Sequence, residues 1–185
     1  GLTDLEHESG GHTKRALQCD IIILSPGVPS DLTILQKAKK SGIPVWSEME
    51  LGYRASKATF LAITGSTGKS TTVSLLGEAL RVGEIESEVA GNIGIPVISI
   101  VPSLSENGYV AAEVSSFQLE GIQEFRPHIC GILNITRDHL DRHGTMENYA
   151  AMKSRIFENQ RDDDYVILNY EDDRVRDFAR LAPSQ

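Results

Sequence analysis

The stretch "AITGSTGKSTTVSLLGEAL", residues 62–80, decides the fold class. An apolar, strand-like run leads into a glycine-rich turn at residues 65–68, and a helical pattern begins near Lys69. Glycines allow the backbone to curl so that successive N–H groups point at phosphate oxygens, and the start of a helix adds partial positive charge. The stretch therefore predicts a strand, a phosphate-binding turn and a helix. Val73, Leu76, Gly77 and Leu80 fall on one face of that helix.

The turn is two residues shorter than the usual phosphate loop, G-x-x-x-x-G-K-[ST], because Ile63 stands where that form has its first glycine. Lys69 supplies a mobile positive charge for terminal phosphates, and the hydroxyl of Ser70 or Thr71 is a hard ligand suited to Mg²⁺. The alternative is a surface Gly/Ser turn, but the order of strand, turn and helix favours a nucleotide. The predicted ATP-binding residues are Gly65, Ser66, Thr67, Gly68, Lys69, Ser70 and Thr71.

Strand-like and helix-like runs alternate along the whole chain. Several of the strand-like runs are almost wholly apolar, as in a parallel sheet covered on both faces. This alternation predicts an α/β, doubly wound parallel-sheet fold. Ser30 or Asp31 is predicted to cap a helix that Gly42 closes. Strands are predicted at residues 19–25, 43–47, 59–64, 87–91, 109–114, 128–134 and 164–169.

The likeliest division of the chain falls at "RASKA", residues 54–58. Residues 1–56 form a small βαβ-like piece, which is too short for a complete doubly wound domain. Residues 57–185 hold the phosphate loop, and the last helical pattern ends at "PSQ" without a following strand. We therefore interpret the chain as a piece of a longer one.

Composition narrows the class of protein. The formal net charge of −8 and the pI near 5.1 argue against a nucleic-acid partner, because no basic stripe faces phosphates. No apolar run approaches the length of a membrane span. The two cysteines, Cys19 and Cys130, stand beside or within apolar runs, which predicts reduced, buried thiols in a cytoplasmic protein.

"YVAAEVSSFQLE", residues 109–120, offers a carboxylate for a metal ion. A phosphate-loop enzyme usually takes one from the end of a neighbouring strand. Glu113 follows an apolar run, where an unpaired acid is costly to bury and a metal would offset that cost. The alternative is a strand-end glutamate that faces water, and the residues alone leave both open.

"NITRDHLDRHG", residues 134–144, is a second stretch rich in polar and charged side chains. Such polar density directly after a parallel strand belongs at the carboxyl edge of the sheet, where ligands bind. No thiolate joins it, and the spacing fits no zinc pattern. Asp138, His139, Asp141, Arg142 and His143 fall within six positions.

Lys153 lies on the apolar face of the next helix, which Thr145 can cap. From periodicity alone, the favoured interpretation is a lysine that extends its ammonium to water. The alternative is a desolvated lysine with a lowered pKa and a reactive neutral amine. The apolar face is formed by Met146, Tyr149, Ala150 and Phe157.

Five motifs resemble, in this order, those of the Mur ligases of bacterial cell-wall synthesis: "GSTGKST", "GNIG", "SSFQLE", "DHLDRHG" and "AAMKSRIF". "LSPGVP" and "IPVWSEMELGYR" extend the resemblance upstream. "SSFQLE" and "DHLDRHG" are most similar to the branch that adds D-glutamate to UDP-N-acetylmuramoyl-L-alanine. The resemblance implies a cytoplasmic, monomeric, ADP-forming ligase of peptidoglycan precursor synthesis with three domains. Here the first would be a Rossmann-like, UDP-binding domain lacking its N-terminal half. The ATP-binding middle domain would be partial and the D-glutamate-binding third domain absent, so the fragment alone would be inactive.

The resemblance also implies roles for single residues. Lys69, His139 and Lys153 would be catalytic, with Lys69 on the β and γ phosphates of ATP. Two Mg²⁺ ions would be held by Ser70, Glu113 and a carbamate on Lys153. The substrate-binding positions would be Ser25, Gly27, Asn92, Ser115, Gln118 and His139.

Three other classes share some of these features. "SSFQLE" argues against another ligase of the same family, such as the alanine-adding enzyme, the diaminopimelate-adding enzyme or the folate polyglutamate ligase. A small-molecule kinase would share the loop but has no need of Lys153 on an inward face. The third class is a nucleotide switch or a partitioning ATPase. A switch GTPase requires N-K-x-D, which "NITRD" does not supply. The substrate that stimulates ATP turnover distinguishes them.

Overall fold

The computed structural model describes residues 6–185, which form two parallel β-sheets and the helices that connect their strands. The strands are β1 (Ile22–Leu24), β2 (Val45–Ser47), β3 (Thr59–Thr64), β4 (Ser87–Gly91), β5 (Tyr109–Glu113), β6 (Ile129–Ile132) and β7 (Tyr165–Leu168). The α-helices are α1 (Thr33–Lys40), α2 (Glu48–Ala55), α3 (Lys69–Val82), α4 (Val97–Ile100), α5 (Ser116–Leu119), α6 (Leu140–His143), α7 (Met146–Ser154) and α8 (Asp173–Asp177). Short 3₁₀ helices cover Lys14–Leu17, Val101–Ser103, Arg155–Phe157 and Phe178–Arg180.

The larger sheet has the strand order β4-β5-β3-β6-β7, and every neighbouring pair is parallel. This confirms the predicted α/β parallel-sheet fold. Because β3 lies between β5 and β6, the carboxyl ends of these three strands are adjacent. Ligands bind at such an edge in open α/β sheets.

The three central strands are buried as the apolar runs predicted, while the edge strand β7 exposes Tyr165 and Ile167. Helix α3 packs so closely on the sheet that a Cβ on Gly77 would lie 2.3 Å from Cγ2 of Val89. No helix within residues 6–185 combines the length and the apolar character needed to cross a lipid bilayer.

The smaller sheet pairs β1 with β2 and is covered by α1, whose Leu35 and Ala38 are buried against Val45. Gly42 closes α1 as predicted: with φ +75°, it lets Ile43 N donate to the Ala38 carbonyl at 2.9 Å.

Two predictions for this region are wrong. Neither Ser30 nor Asp31 caps α1, because the chain is still turning there and the helix begins only at Thr33. Leu32 occupies the cap position, and its side chain makes no capping bond. Cys19 is exposed, because β1 begins only at Ile22. Cys130 is buried as predicted, and burial raises the pKa of its thiol to about 12.

Helix α2 packs into the core of the larger sheet, although most of it lies before the predicted boundary at residues 54–58. Met49 is fully buried there, and the Tyr53 ring lies 5.4 Å from Phe60 and 5.5 Å from Phe125. The division into residues 1–56 and 57–185 stays a prediction, and its first five residues lie outside those described.

A buried carboxylate, Glu50, ties α2 to the loop before β6. Its oxygens accept the backbone N–H groups of residues 123, 124 and 125 at 2.9–3.1 Å and the Arg54 Nε at 2.6 Å. Glu50 itself is 0% exposed. A buried charge with this many donors is stable, whereas its removal leaves several donors unsatisfied.

We therefore expect Glu50→Ala to lower the free energy of unfolding by ~3 kcal/mol or more, measured by urea denaturation. Glu106→Ala, at an exposed loop carboxylate, is the matched control and should change it by less than ~0.5 kcal/mol. A loss below ~1 kcal/mol for Glu50→Ala would contradict the proposed role of this carboxylate.

Candidate active site

The phosphate loop joins β3 to α3 at the centre of the sheet edge. Gly65 has φ +153° and Gly68 has φ +82°, a left-handed conformation that favours glycine. Gly68 is the N-cap of α3, so Lys69, Ser70 and Thr71 form the first turn of that helix. Ser70 is exposed at this turn, and its hydroxyl is a hard oxygen ligand of the kind that Mg²⁺ binds.

The Lys69 side chain folds back over the loop. Its Nζ donates to the carbonyl oxygens of Gly65 and Ser66 at 2.9 and 3.0 Å. These are weak, neutral acceptors for an ammonium group, which an anionic phosphate can replace.

Asn134, two residues after the end of β6, also bonds the loop. Its Oδ1 accepts the N–H groups of Ser66 and Thr67, and its Nδ2 donates to the Thr67 carbonyl. The predicted site residues do not include Asn134, although its position after a strand at the carboxyl edge of the sheet is a signal for a role in binding.

Glu113 ends β5 and is 2% exposed. Its Oε1 accepts from Asn92 Nδ2 at 2.8 Å, while within residues 6–185 its Oε2 has no hydrogen-bond partner. The backbones of β4 and β5 come close together at this point. Gly91, with φ +112°, allows this, since a Cβ there would lie 2.2 Å from the Glu113 backbone carbonyl oxygen. The water-facing alternative for Glu113 is therefore wrong.

An orphaned carboxylate oxygen beside a phosphate loop suits Mg²⁺, which prefers oxygen ligands and usually takes few of them from protein. Ser70 and Glu113 are residues of the right type for this ion. Among residues 6–185, no three His, Cys, Asp or Glu side chains cluster as a metal site.

Lys153 is 1% exposed, so the favoured interpretation of an ammonium that reaches water is wrong. Its Nζ donates to the Gly65 carbonyl at 2.8 Å and lies 3.4 Å from Thr64 Oγ1 and 4.7 Å from the Tyr149 ring centre. Burial, and secondly the nearby Lys69 ammonium, lowers the pKa of Lys153 from 10.5 to about 7. Near neutral pH, much of this side chain is a free amine.

The lowered pKa predicts a pH-dependent stability. The unfolded chain keeps the Lys153 proton up to about pH 10, whereas the folded protein loses it near pH 7, so unfolding takes up a proton in between. Stability must then rise with pH across this window. Relative to Lys153→Met, the wild-type free energy of unfolding should rise by about 2 kcal/mol from pH 7 to about pH 9.

Urea unfolding in CO₂-free buffer at the two pH values measures this difference. Lys57→Met, at an exposed lysine, is the control and should run parallel to the wild type. Parallel profiles for the wild type and Lys153→Met would contradict the lowered pKa.

The two histidines of residues 134–144 have different environments. His139 is half-exposed and has φ +49°. Its Nε2 lies 3.3 Å from Asp138 Oδ2, and its ring centre lies 4.9 Å from that of Phe117. His143 is buried, with Nε2 3.0 Å from Ser116 Oγ and its ring stacked on Phe117, and burial lowers its pKa.

A cleft of about 370 Å³ opens between the end of β1 and the loop after β4. It brings together three of the predicted substrate-binding residues, Ser25, Asn92 and Gln118. Ser115 is occupied in the cap of α5, where its hydroxyl and the Gln118 side chain bond each other's backbone N–H. Gly27, Ser115 and His139 do not line this cleft.

Two models of known protein families match segments of this chain. Residues 63–185 match the Mur ligase middle domain, and residues 1–34 match the MurD N-terminal domain. Two similar curated proteins are both named UDP-N-acetylmuramoylalanine–D-glutamate ligase. The one from Caldanaerobacter subterraneus is 54% identical over 83% of this chain and 34% of its own length. The one from Koribacter versatilis is 49% identical over 96% of this chain and 40% of its own length. The chain thus spans about a third to two fifths of these relatives.

Solved structures of the same fold include MurF ligase from Thermotoga maritima in complex with ADP. It has a TM-score of 0.57 and 17% identity, and the match covers 93% of this chain and 51% of that one. A UDP-N-acetylmuramoyl-L-alanyl-D-glutamate–2,6-diaminopimelate ligase matches with a TM-score of 0.57 and 21% identity, over 88% of this chain and 43% of that one. At such identities the likeness concerns the fold alone. The family match over residues 63–185 covers most of the chain, which therefore belongs to the Mur ligase family.

Proposed function

We propose that the intact protein adds D-glutamate to UDP-N-acetylmuramoyl-L-alanine, with conversion of ATP to ADP and phosphate. The observation that carries the proposal is the arrangement around the phosphate loop. Lys69 and Lys153 both bond the Gly65 carbonyl, and within residues 6–185 the Oε2 of the buried Glu113 has no hydrogen-bond partner. The names of relatives at 49–54% identity support the choice of substrates.

The chemistry explains why ATP is needed. A carboxylate does not form an amide with an amine in water unaided. The alanyl carboxylate first attacks the γ-phosphorus of ATP, and ADP leaves with the electron pair of the broken P–O bond. The amine of D-glutamate then attacks the acyl phosphate, loses a proton, and phosphate departs as the amide forms.

The phosphate loop and Lys69 would hold the ATP phosphates in line with the attacking carboxylate. Both reactants are anionic, so positive charge fixed in advance lowers the barrier most. Two Mg²⁺ ions held by Ser70, Glu113 and modified Lys153 would supply further charge neutralisation. The free Glu113 oxygen supports this assignment.

Lys153 would act as a carbamate. A neutral amine attacks CO₂, a new N–C bond forms, and the nitrogen loses one proton, which leaves an anionic carboxylate on the lysine. A buried amine with a lowered pKa favours that reaction. The change converts a cation into a pair of oxygen ligands suited to Mg²⁺.

Substrate binding would use the cleft that Ser25, Asn92 and Gln118 line. Asn92 also bonds Glu113, so it would link the acceptor to the metal side of the site. The turn at Ser25 and Gly27, in which Val28 N donates to the Ser25 carbonyl, would contact the UDP phosphates. His139 and Ser115 would lie near the muramoyl-alanine end.

Residues 1–56 would then be part of the Rossmann-like, UDP-substrate domain and residues 57–185 part of the ATP-binding domain. D-glutamate would be brought by a third domain. The protein would work as a cytoplasmic monomer on small molecules.

The test is substrate-dependent ATP turnover by the intact protein. We expect phosphate release only when UDP-N-acetylmuramoyl-L-alanine and D-glutamate are both present, with one amide formed per ATP. Stimulation by another amino acid with a different UDP-muramoyl acceptor would assign another ligase of the family. Turnover with a hydroxyl acceptor and no amine would assign a kinase, and turnover stimulated only by a protein partner would assign a nucleotide switch.

A further inference from the structure

We propose that Asn134 is a positioning residue of the phosphate loop, whose carboxamide braces the short turn and leaves the N–H groups of residues 68–71 for the phosphates. The inference rests on the proposed nucleotide binding. It concerns how a loop two residues shorter than usual keeps a phosphate-binding shape.

Within residues 6–185, the hydrogen bonds of the Asn134 carboxamide all go to loop residues. Its Oδ1 accepts from Ser66 N at 3.1 Å and from Thr67 N at 2.9 Å, and its Nδ2 donates to the Thr67 carbonyl at 3.1 Å. The Ser66 N–H also donates to the Asn134 backbone carbonyl at 3.0 Å. One side chain, 68 residues distant in sequence from Ser66, therefore fixes two consecutive peptide units.

Thr136, two residues after Asn134, makes a second set of hydrogen bonds to the loop. Ser66 is buried, and its hydroxyl accepts from Thr136 N at 3.0 Å and donates to the Thr136 carbonyl at 3.1 Å. Segment 134–136 thus holds Ser66 at two points. This arrangement leaves the first half of the loop little freedom to move when a ligand arrives.

The bonded N–H groups also show which ones remain for a ligand. Asn134 takes those of Ser66 and Thr67, whereas within residues 6–185 those of residues 68–71 have no hydrogen-bond acceptor. Three of these four belong to the first turn of α3, where orphan donors bind anions. Asn134 would therefore act through the backbone and not by touching the nucleotide.

Asn134→Ala in the intact protein tests the brace, with ADP affinity measured by calorimetry and steady-state kinetics measured for ATP. We expect ADP binding to weaken at least ~10-fold and KM for ATP to rise by a similar factor. KM for the sugar-nucleotide acceptor should stay within about twofold of the wild type. A residue with only a general structural role would lower the active fraction, hence kcat, and leave both KM values unchanged.

Asn169→Ala is the matched control. Asn169 follows the neighbouring strand β7, and its Nδ2 donates to the Leu133 carbonyl at 2.8 Å at the same edge of the sheet, but it bonds no loop residue. It should leave ADP affinity unchanged. ADP affinity within about twofold of the wild type in folded Asn134→Ala would overturn the inference.

If Asn134→Ala does not fold, a second measurement on the wild type tests the same inference. Amide hydrogen exchange by NMR in the nucleotide-free wild type should show Ser66 and Thr67 protected and residues 68–71 fast, with the latter slowing when ADP binds. Equal exchange at all six positions would overturn the inference while leaving nucleotide binding intact. A wild type that does not bind ADP would overturn both proposals.

Discussion

Lys69→Ala is expected to lower kcat/KM for ATP in the intact protein by at least ~10²-fold, because a preorganised charge on a transferring phosphoryl group is worth several kcal/mol. The Lys69 Nζ is held within the loop by the carbonyl oxygens of Gly65 and Ser66, at the position where terminal phosphates would bind. These weak acceptors keep the ammonium in place without neutralising its charge.

The measurement is steady-state phosphate release with saturating acceptor and D-glutamate. Lys57→Ala removes an exposed lysine just before β3 and should leave kcat/KM unchanged. Circular dichroism and the unfolding midpoint establish that both variants fold. A change below about threefold for folded Lys69→Ala would remove this lysine from the phosphate site.

Lys153→Arg is expected to abolish activity while the protein stays folded. The arginine guanidinium keeps its positive charge at all accessible pH values. It therefore offers no neutral amine that could attack CO₂ and form a carbamate. The side chain is 1% exposed, beside the Gly65 carbonyl of the loop, so a fixed cation there would repel Mg²⁺ bound at Glu113. The proposed carbamate reverses that charge and adds two oxygen ligands.

Depletion of CO₂ tests the same idea without any substitution. Wild-type activity should decline reversibly in CO₂-free buffer and return when bicarbonate is added. Lys57→Arg is the matched control for the substitution and should behave as the wild type in both buffers. Near-normal turnover by folded Lys153→Arg would contradict the carbamate, as would wild-type activity that ignores prolonged CO₂ depletion.

The sequence determined the local features of this protein. Strand, glycine turn and helix at residues 59–82 follow from apolar runs and from glycines at positions that need unusual backbone angles, and the structure has them at those positions. The α/β class follows in the same way, because the alternation of the two periodicities persists along the chain. The order of five motifs was enough to indicate the family that residues 63–185 match.

The tertiary structure decided what depends on contacts between distant residues. Periodicity placed Lys153 on an apolar face but could not give its depth, and the outcome turned on whether the Gly65 carbonyl, 88 residues away, lay within reach of its Nζ. The same holds for the Glu113 oxygen that has no partner within residues 6–185, for the Glu50 bonds to residues 123–125 and for the Asn134 bonds to the loop. A side chain's direction from its helix or strand is a local property, whereas its burial and its partners depend on which elements pack against it, and only the packed sheet determines that.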